Sequence, residues 1–349
     1  KGRSCMKTNS IFYRELPKVD LHRHLEGSLR VDTLLDIARL HGITLPLAPG
    51  LRALVQMQPE DPFNFSTFLS KFQTLRLFYR SPEVITRITR EAIEDASRDG
   101  LRYLELRFTP VALSRLEGFP TSEVLDWVCT AAQQASADFS LPTSLIVSVN
   151  RHEPVETARQ VLQLAADYKN RGVVGVDLAG NEVEFPAAPF LPMFRDARAE
   201  GLFTTVHAGE WGNAENVREA IEDFEVTRVS HGVRVMEEPS IVSLARERQT
   251  VFEVCVTSNY QTGVVSALTN HPLNRMLMAG LNITINTDDP CISDITLSHE
   301  YQLAVEELGL PLPVLADRVL AAMDAAFLPL EEKVKLKAHI KSELNRLIH

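Results

Sequence analysis

The chain has 349 residues, with 36 Lys and Arg against 46 Asp and Glu, a formal charge of −10. Apolar residues make up 45% and charged residues 23%, the balance of a globular chain that buries a large core. The acidic balance argues against a broad nucleic-acid or anionic-membrane surface, because both need a basic face.

Four cysteines, Cys5, Cys129, Cys255 and Cys291, form no C-x-x-C pair. That excludes a disulfide framework or thiolate zinc knuckle and makes a reducing cytoplasm the expected location. No apolar run nears the roughly 18 residues a membrane helix needs, and nothing near the start resembles a signal sequence. Residues 1–5, ahead of Met6, read as an expression scar, which leaves 6–349 as one expected domain.

Short apolar, β-branched runs at 18–21, 102–108, 144–149, 173–178, 203–206, 228–230, 251–255 and 282–285 predict eight strands. Helical patterns separate them. One is 154–169, where Val155, Ala158, Val161, Leu162 and Ala165 line one face, and another is 240–248, led by Pro239. Eight strand–helix units predict an α/β fold, a (β/α)8 TIM barrel. Residues 28–101 exceed one crossover helix and predict inserted helices after strand 1, on the catalytic face. Within them the apolar stretch 63–72 reads as a cover over the site or as a core helix turning Phe68, Leu69 and Phe72 inward. The chain after the eighth strand is predicted helical to its end.

His22-Arg23-His24 ends the first predicted strand. Residues two apart in a strand face the same side, so both imidazoles can share one metal as neutral nitrogen ligands. Thr205-Val206-His207-Ala208-Gly209-Glu210 ends the fifth strand with a third imidazole and a candidate acid or base. Ser230-His231-Gly232 ends the sixth, and Asn286-Thr287-Asp288-Asp289-Pro290 the eighth. Singly, each has an ordinary structural explanation: a satisfied core histidine, or an Asp capping the next helix. Together they put ionisable residues at four strand ends, on the face where barrel enzymes carry their sites. Asp288 and Asp289 repel unless a cation lies near one of them. Imidazole and carboxylate without thiolate suit zinc, iron(II), cobalt or manganese, zinc being the default.

The motifs Leu21-His22-Arg23-His24-Leu25-Glu26-Gly27, Asp177-Leu178-Ala179-Gly180, Val206-His207-Ala208-Gly209-Glu210, Ser230-His231-Gly232-Val233 and Asn286-Thr287-Asp288-Asp289-Pro290 resemble those of the adenosine deaminase family, a branch of the metal-dependent amidohydrolase barrels. The resemblance runs from about Leu16 to Leu328 in unbroken order. It implies one Zn2+ per chain, held by His22, His24, His207 and Asp288. It also implies that His231 helps deprotonate and orient the zinc-bound water, and that a protonated Glu210 supplies a proton to N1 of the purine. Asp289 is implied to position the hydroxide and meet the base near N7, and the Gly180 N–H to meet N3, with His24 and Glu26 beside the substrate.

Glu26 departs from the Asp that many members use to contact the ribose 5′-hydroxyl; glutamate there is also seen in relatives acting on adenine. Against that, Phe65, Phe68, Leu69 and Phe72 resemble the apolar lid over the ribose in nucleoside deaminases. Ser230 also stands where adenine deaminases typically carry Asp. The expected substrates are therefore adenosine and 2′-deoxyadenosine, with adenine, or a modified adenosine such as aminodeoxyfutalosine or N6-methyl-AMP, as the alternative. A 5′-phosphate would need a basic partner beside Glu26; Arg23 and Arg30 are nearby in sequence.

A hydrolase of some other bond would leave Glu210 and Gly180 idle, and a non-catalytic binder would need a broken catalytic position. The H-x-E of His24-Leu25-Glu26 lacks the P-C-x-x-C of the other zinc deaminases. Residues 173–178 hold no lysine to bridge a second metal. His41, His152, His271, His299, His339 and His349 read as structural or surface residues. Trp211 suits the pocket mouth or packing equally, and Ser258 and Asn259 have no assigned role. The partner expected is a small purine nucleoside, with no nucleic acid, membrane or obligate protein.

Overall fold

The apolar runs become eight strands in the computed structural model, which describes residues 10–44 and 48–348. The strands are β1 (Lys18–His24), β2 (Leu101–Phe108), β3 (Thr143–Asn150), β4 (Val173–Ala179), β5 (Phe203–Ala208), β6 (Arg228–His231), β7 (Val251–Val254) and β8 (Asn282–Ile285). They pair in parallel in sequence order. Two backbone bonds beyond the end of β8 close the ring: the His24 N–H donates to the Asp288 carbonyl and the Asp288 N–H to the His22 carbonyl, each at 2.8 Å. The expected (β/α)8 barrel is the observed fold. Cys5, the 1–5 segment and His349 lie outside the described residues.

β1, β5 and β6 run past their predicted ends to reach His24, Ala208 and His231. An apolar-run criterion stops at the first polar residue, whereas the ladder continues through it. β7 stops at Val254, so Cys255 is not in the strand but precedes the short helix Val256–Gln261.

Residues 28–101 hold the helices Val31–His41, Ala48–Val55, Phe65–Leu75 and Pro82–Arg98. The Asn64 side chain caps the third by accepting the Thr67 N–H at 2.9 Å, and Pro82 opens the fourth in its first turn, where its missing N–H costs nothing. The predicted helix 154–169 is Val155–Asp167, and Pro239 starts Pro239–Glu247. After β8 the described chain is helical, from Pro290–Ser293 to Leu330–Ile348. No helix among the described residues is long and apolar enough to cross a membrane.

Strand alternation sends Leu104, Leu106, Phe108, Leu178, Phe252 and Val254 into one hydrophobic core with the surrounding helices. The other face of the same strands is polar. Glu105, Arg107, Asp177, Arg228, Ser230 and Glu253 are all fully buried inside the ring. Buried charges persist only when paired. Arg107 Nη2 lies 2.8 Å from Glu253 and its Nη1 3.5 Å from Asp177, while Arg228 Nη2 reaches Glu105 at 2.5 Å. These pairs connect strands that are not neighbours in the sheet and support the cavity above them.

Candidate active site

The seam that closes the barrel carries the densest cluster of ligating groups. His22, His24, His207 and Asp288 place one donor atom each within 4.8 Å of all the others. His22 Nε2 is 3.1 Å from Asp288 Oδ1 and 3.3 Å from His24 Nε2, and His24 Nε2 is 3.4 Å from the same carboxylate oxygen. These separations match the roughly 3.3 Å edge of a tetrahedron with zinc–nitrogen bonds near 2.0–2.1 Å.

Carboxylates behind the cluster decide which nitrogen His22 and His207 present. Glu253 Oε2 takes Nδ1 of His22 at 3.0 Å, and Asp177 Oδ1 takes Nδ1 of His207 at 3.0 Å. Nε2 of both rings is thereby left for the cavity, the arrangement found behind metal-ligating histidines. Ser258 Oγ donates to Asp288 Oδ2 at 2.7 Å and holds that carboxylate in place. A second grouping, His22, His231, Cys255 and Asp288, is equally compact. Burial drives the Cys255 thiol well above its ordinary pKa, so it is poorly suited to ligate as a thiolate.

His24, His207 and Asp288 of the cluster line a cavity of about 160 Å³. Glu210 stands over it, with Oε2 3.6 Å from His231 Nε2. Burial, with the charges of Asp288, Glu182 and Asp289, holds the Glu210 carboxyl well above the usual carboxylate range, which favours its protonated form. Asp289 Oδ1 is buried without a hydrogen-bond partner. Although Asp289 precedes the helix Pro290–Ser293, its side chain makes no capping bond. A Cβ at Gly27 would fall 1.9 Å from Asp289 Oδ1, so only glycine allows this approach. Glu26 Oε1 accepts the Thr109 N–H at 2.5 Å while Oε2 is buried and unpartnered, and burial pushes the carboxyl up to about 7. His231 and Asp288 hold left-handed φ values of 60° and 65°, strained for residues with a Cβ.

The Adenosine deaminase family model matches residues 17–343. An adenosine deaminase of Klebsiella pneumoniae is 36% identical over 324 residues, 92% of this chain and 96% of that one. The chain belongs to the adenosine deaminase family.

Among solved structures similar to it, an amidohydrolase from Burkholderia ambifaria with bound zinc superposes with a TM-score of 0.90 at 28% identity, covering 99% of this chain and 96% of that one. An adenine deaminase from Arthrobacter aurescens gives 0.87 at 27%, with 95% and 99% covered.

The residues singled out for a deaminase of this family line the cavity with two exceptions, Phe65 and the fully buried His22, which reaches it through its contacts with His24 and Asp288. Phe68 and Leu69 line it, as do Glu26 and Gly180. Phe65 does not: its ring packs on Trp211, 3.8 Å between centroids, and Trp211 in turn lines the cavity. The helix is thus both cover and core, for Phe68 is also buried against the hydrophobic interior. Gly180 has φ of +95°, a conformation that calls for glycine whether or not a ligand is present. Arg23 turns to Asp20 and Thr287, and Arg30 to Glu94 and Asp95, so neither reaches the cavity. The basic side chain on its wall is Arg76.

Two of the histidines read as structural or surface residues lie at the site or in the hydrogen-bond chain behind it. His152 lines the cavity, and His271 hydrogen-bonds Asn259, which bonds His231. Sequence reasoning also passed over Glu253, Arg107 and Glu182, and gave Asp177 no role. A charged residue inside an apolar strand, as in Val251-Phe252-Glu253-Val254, was the available signal, because such a charge must find a partner within the barrel.

Proposed function

We propose that this chain deaminates adenosine and 2′-deoxyadenosine hydrolytically, giving inosine and 2′-deoxyinosine plus ammonia. The observation that carries the reading is that Glu210, whose carboxyl is held by burial well above the usual range, and Asp289 line one cavity beside the four-residue cluster. His22, His24, His207 and Asp288 would hold one zinc ion; their donor set and the carboxylates behind it fit that metal, and β4 offers no lysine for a second. Bound there, zinc supplies Lewis acidity that brings a water's pKa to about 7.

The remaining roles fall to the protein. Glu210 delivers its proton to N1 of the purine, which makes C6 electrophilic. Asp289 and His231 flank the position from which oxygen attacks C6 and orient it. The Gly180 N–H faces N3, and His24 borders the base. Phe68 and Leu69 cover the sugar, and Phe65 packs on Trp211, which lines the same cavity. Glu26 Oε2 is an acceptor ready for a ribose hydroxyl. No nucleic acid or obligate protein partner enters the reading, and the free thiols of Cys129, Cys255 and Cys291 suit a reducing cytoplasm.

Free adenine is the second reading, because Glu26 is one methylene longer than the Asp of many relatives and takes room from a ribose. Arg76 at the rim is a partner for the phosphate of an N6-methylated nucleotide. Product release from adenosine, 2′-deoxyadenosine, adenine, aminodeoxyfutalosine and N6-methyl-AMP, assayed in parallel, separates these. Ammonia fastest from the two nucleosides is expected. Turnover of adenine or a modified adenosine alone would replace the nucleoside reading.

A further inference from the structure

We propose that Asn259 and His271 are positioning residues that fix the tautomer of His231, placing its proton on Nε2. This rests on the deaminase reading for its chemical consequence, though not for the tautomer itself.

The assignment starts from a group whose role is beyond choice. The backbone N–H of Leu273 lies 3.1 Å from Nδ1 of His271 and can only donate. That nitrogen is therefore bare, and His271 carries its proton on Nε2. Burial agrees, lowering the His271 pKa to about 3 and keeping the ring neutral. Nε2 of His271 faces Asn259 Oδ1 at 3.4 Å, which turns the amide nitrogen of Asn259 toward Nδ1 of His231 at 3.1 Å. An amide NH2 only donates, so Nδ1 of His231 accepts. A histidine always keeps at least one proton, and here it must sit on Nε2.

Nε2 is the nitrogen that faces the cavity, 3.6 Å from Glu210 Oε2 and 3.8 Å from Asp288 Oδ2. With a hydrogen on it, this nitrogen has no lone pair in the ring plane with which to take a proton. His231 then donates a hydrogen bond to the attacking oxygen.

The direct test is long-range 1H–15N spectroscopy of zinc-loaded protein with 15N-labelled histidine, the His231 signals being assigned by their loss in His231→Gln. The native ring should show a protonated Nε2 and a bare Nδ1. Asn259→Asp puts an acceptor beside Nδ1 and should reverse the tautomer. It should also lower kcat on adenosine by about 10²- to 10⁴-fold, the range for a displaced acid–base group, with KM changed less than about threefold. His271→Ala frees the amide to flip and should lower kcat, and His271→Gln, which keeps an N–H toward Asn259, should restore much of it. A native His231 protonated on Nδ1, or an Asn259→Asp variant with native kcat, would overturn the proposal. If that variant does not fold, the native spectrum decides alone. An enzyme inactive on adenosine but showing the expected tautomer would count against the substrate reading and not against the relay.

Discussion

Glu182 accepts the backbone N–H of Glu210 at 2.7 Å, from the loop after β4 to the loop after β5. The same carboxylate takes the N–H groups of Gly209, Trp211 and Gly212 at 2.8, 2.6 and 2.8 Å, so four successive amides converge on one buried acid. This clamp fixes the loop that carries Glu210, and its charge helps keep Glu210 protonated. Glu182→Gln turns an amide NH2 toward some of those donors, at roughly 1–3 kcal/mol for each one left unsatisfied. The expected result is a lower melting temperature and a kcat on adenosine reduced at least about tenfold, with bound zinc unchanged by atomic absorption. Native kcat in this variant would mean the loop is held by other contacts.

Glu210 itself is assigned to proton transfer and not to the metal. Glu210→Gln should lose about 10²- to 10⁴-fold in kcat while retaining its zinc and its melting temperature. Loss of metal along with activity would assign it to the ligand cluster instead.

Glu253 holds His22 from behind and neutralises Arg107. Glu253→Gln should weaken zinc binding by about 10- to 100-fold in chelator competition. Removing one partner of a buried ion pair should also cost on the order of 3–5 kcal/mol, read by denaturant unfolding. An unchanged zinc affinity would leave Glu253 a purely structural acid.

Glu300 gives the pH dependence. It is fully buried beneath the helix Val256–Gln261, accepting the Thr257 N–H at 3.1 Å, and burial raises its carboxyl from 4.5 to about 7. A carboxyl raised on folding favours the protonated native state. Its contribution is intact below the unfolded value near 4.5 and is lost as pH rises through 7. Glu300→Gln mimics the protonated form. The variant should match the native protein in unfolding free energy near pH 4.5 and exceed it by up to about 3 kcal/mol at pH 8. A constant difference between the two across that range would show that Glu300 does not titrate on folding.

The barrel was legible because β-branched runs alternate with helical periods, and those signals are local. The four-residue cluster was legible because His22, His24, His207 and Asp288 all lie at strand ends, where the fold itself dictates convergence. Residues acting across the barrel were harder to find. Glu253 and Arg107 lie 146 positions apart in sequence, and their pairing depends on ring closure, which no periodicity encodes. His271 looked bland because its partner Asn259 is twelve residues away on a short helix, with no recognisable spacing between them. Phe65 was placed over the substrate because the stretch it shares with Phe68 and Leu69 resembles the apolar lid of nucleoside deaminases. Its ring instead meets Trp211, which comes from the loop after β5.

The central claim is that metal held by His22, His24, His207 and Asp288 drives deamination of adenosine. It is tested most directly by following ammonia from adenosine as purified protein is stripped with chelator and then titrated with zinc. Activity should vanish on stripping and return in proportion to zinc, reaching its plateau at one equivalent per chain, and His207→Ala should not recover. Full turnover in stripped protein, or a zinc-loaded protein that releases no ammonia from adenosine, would contradict it.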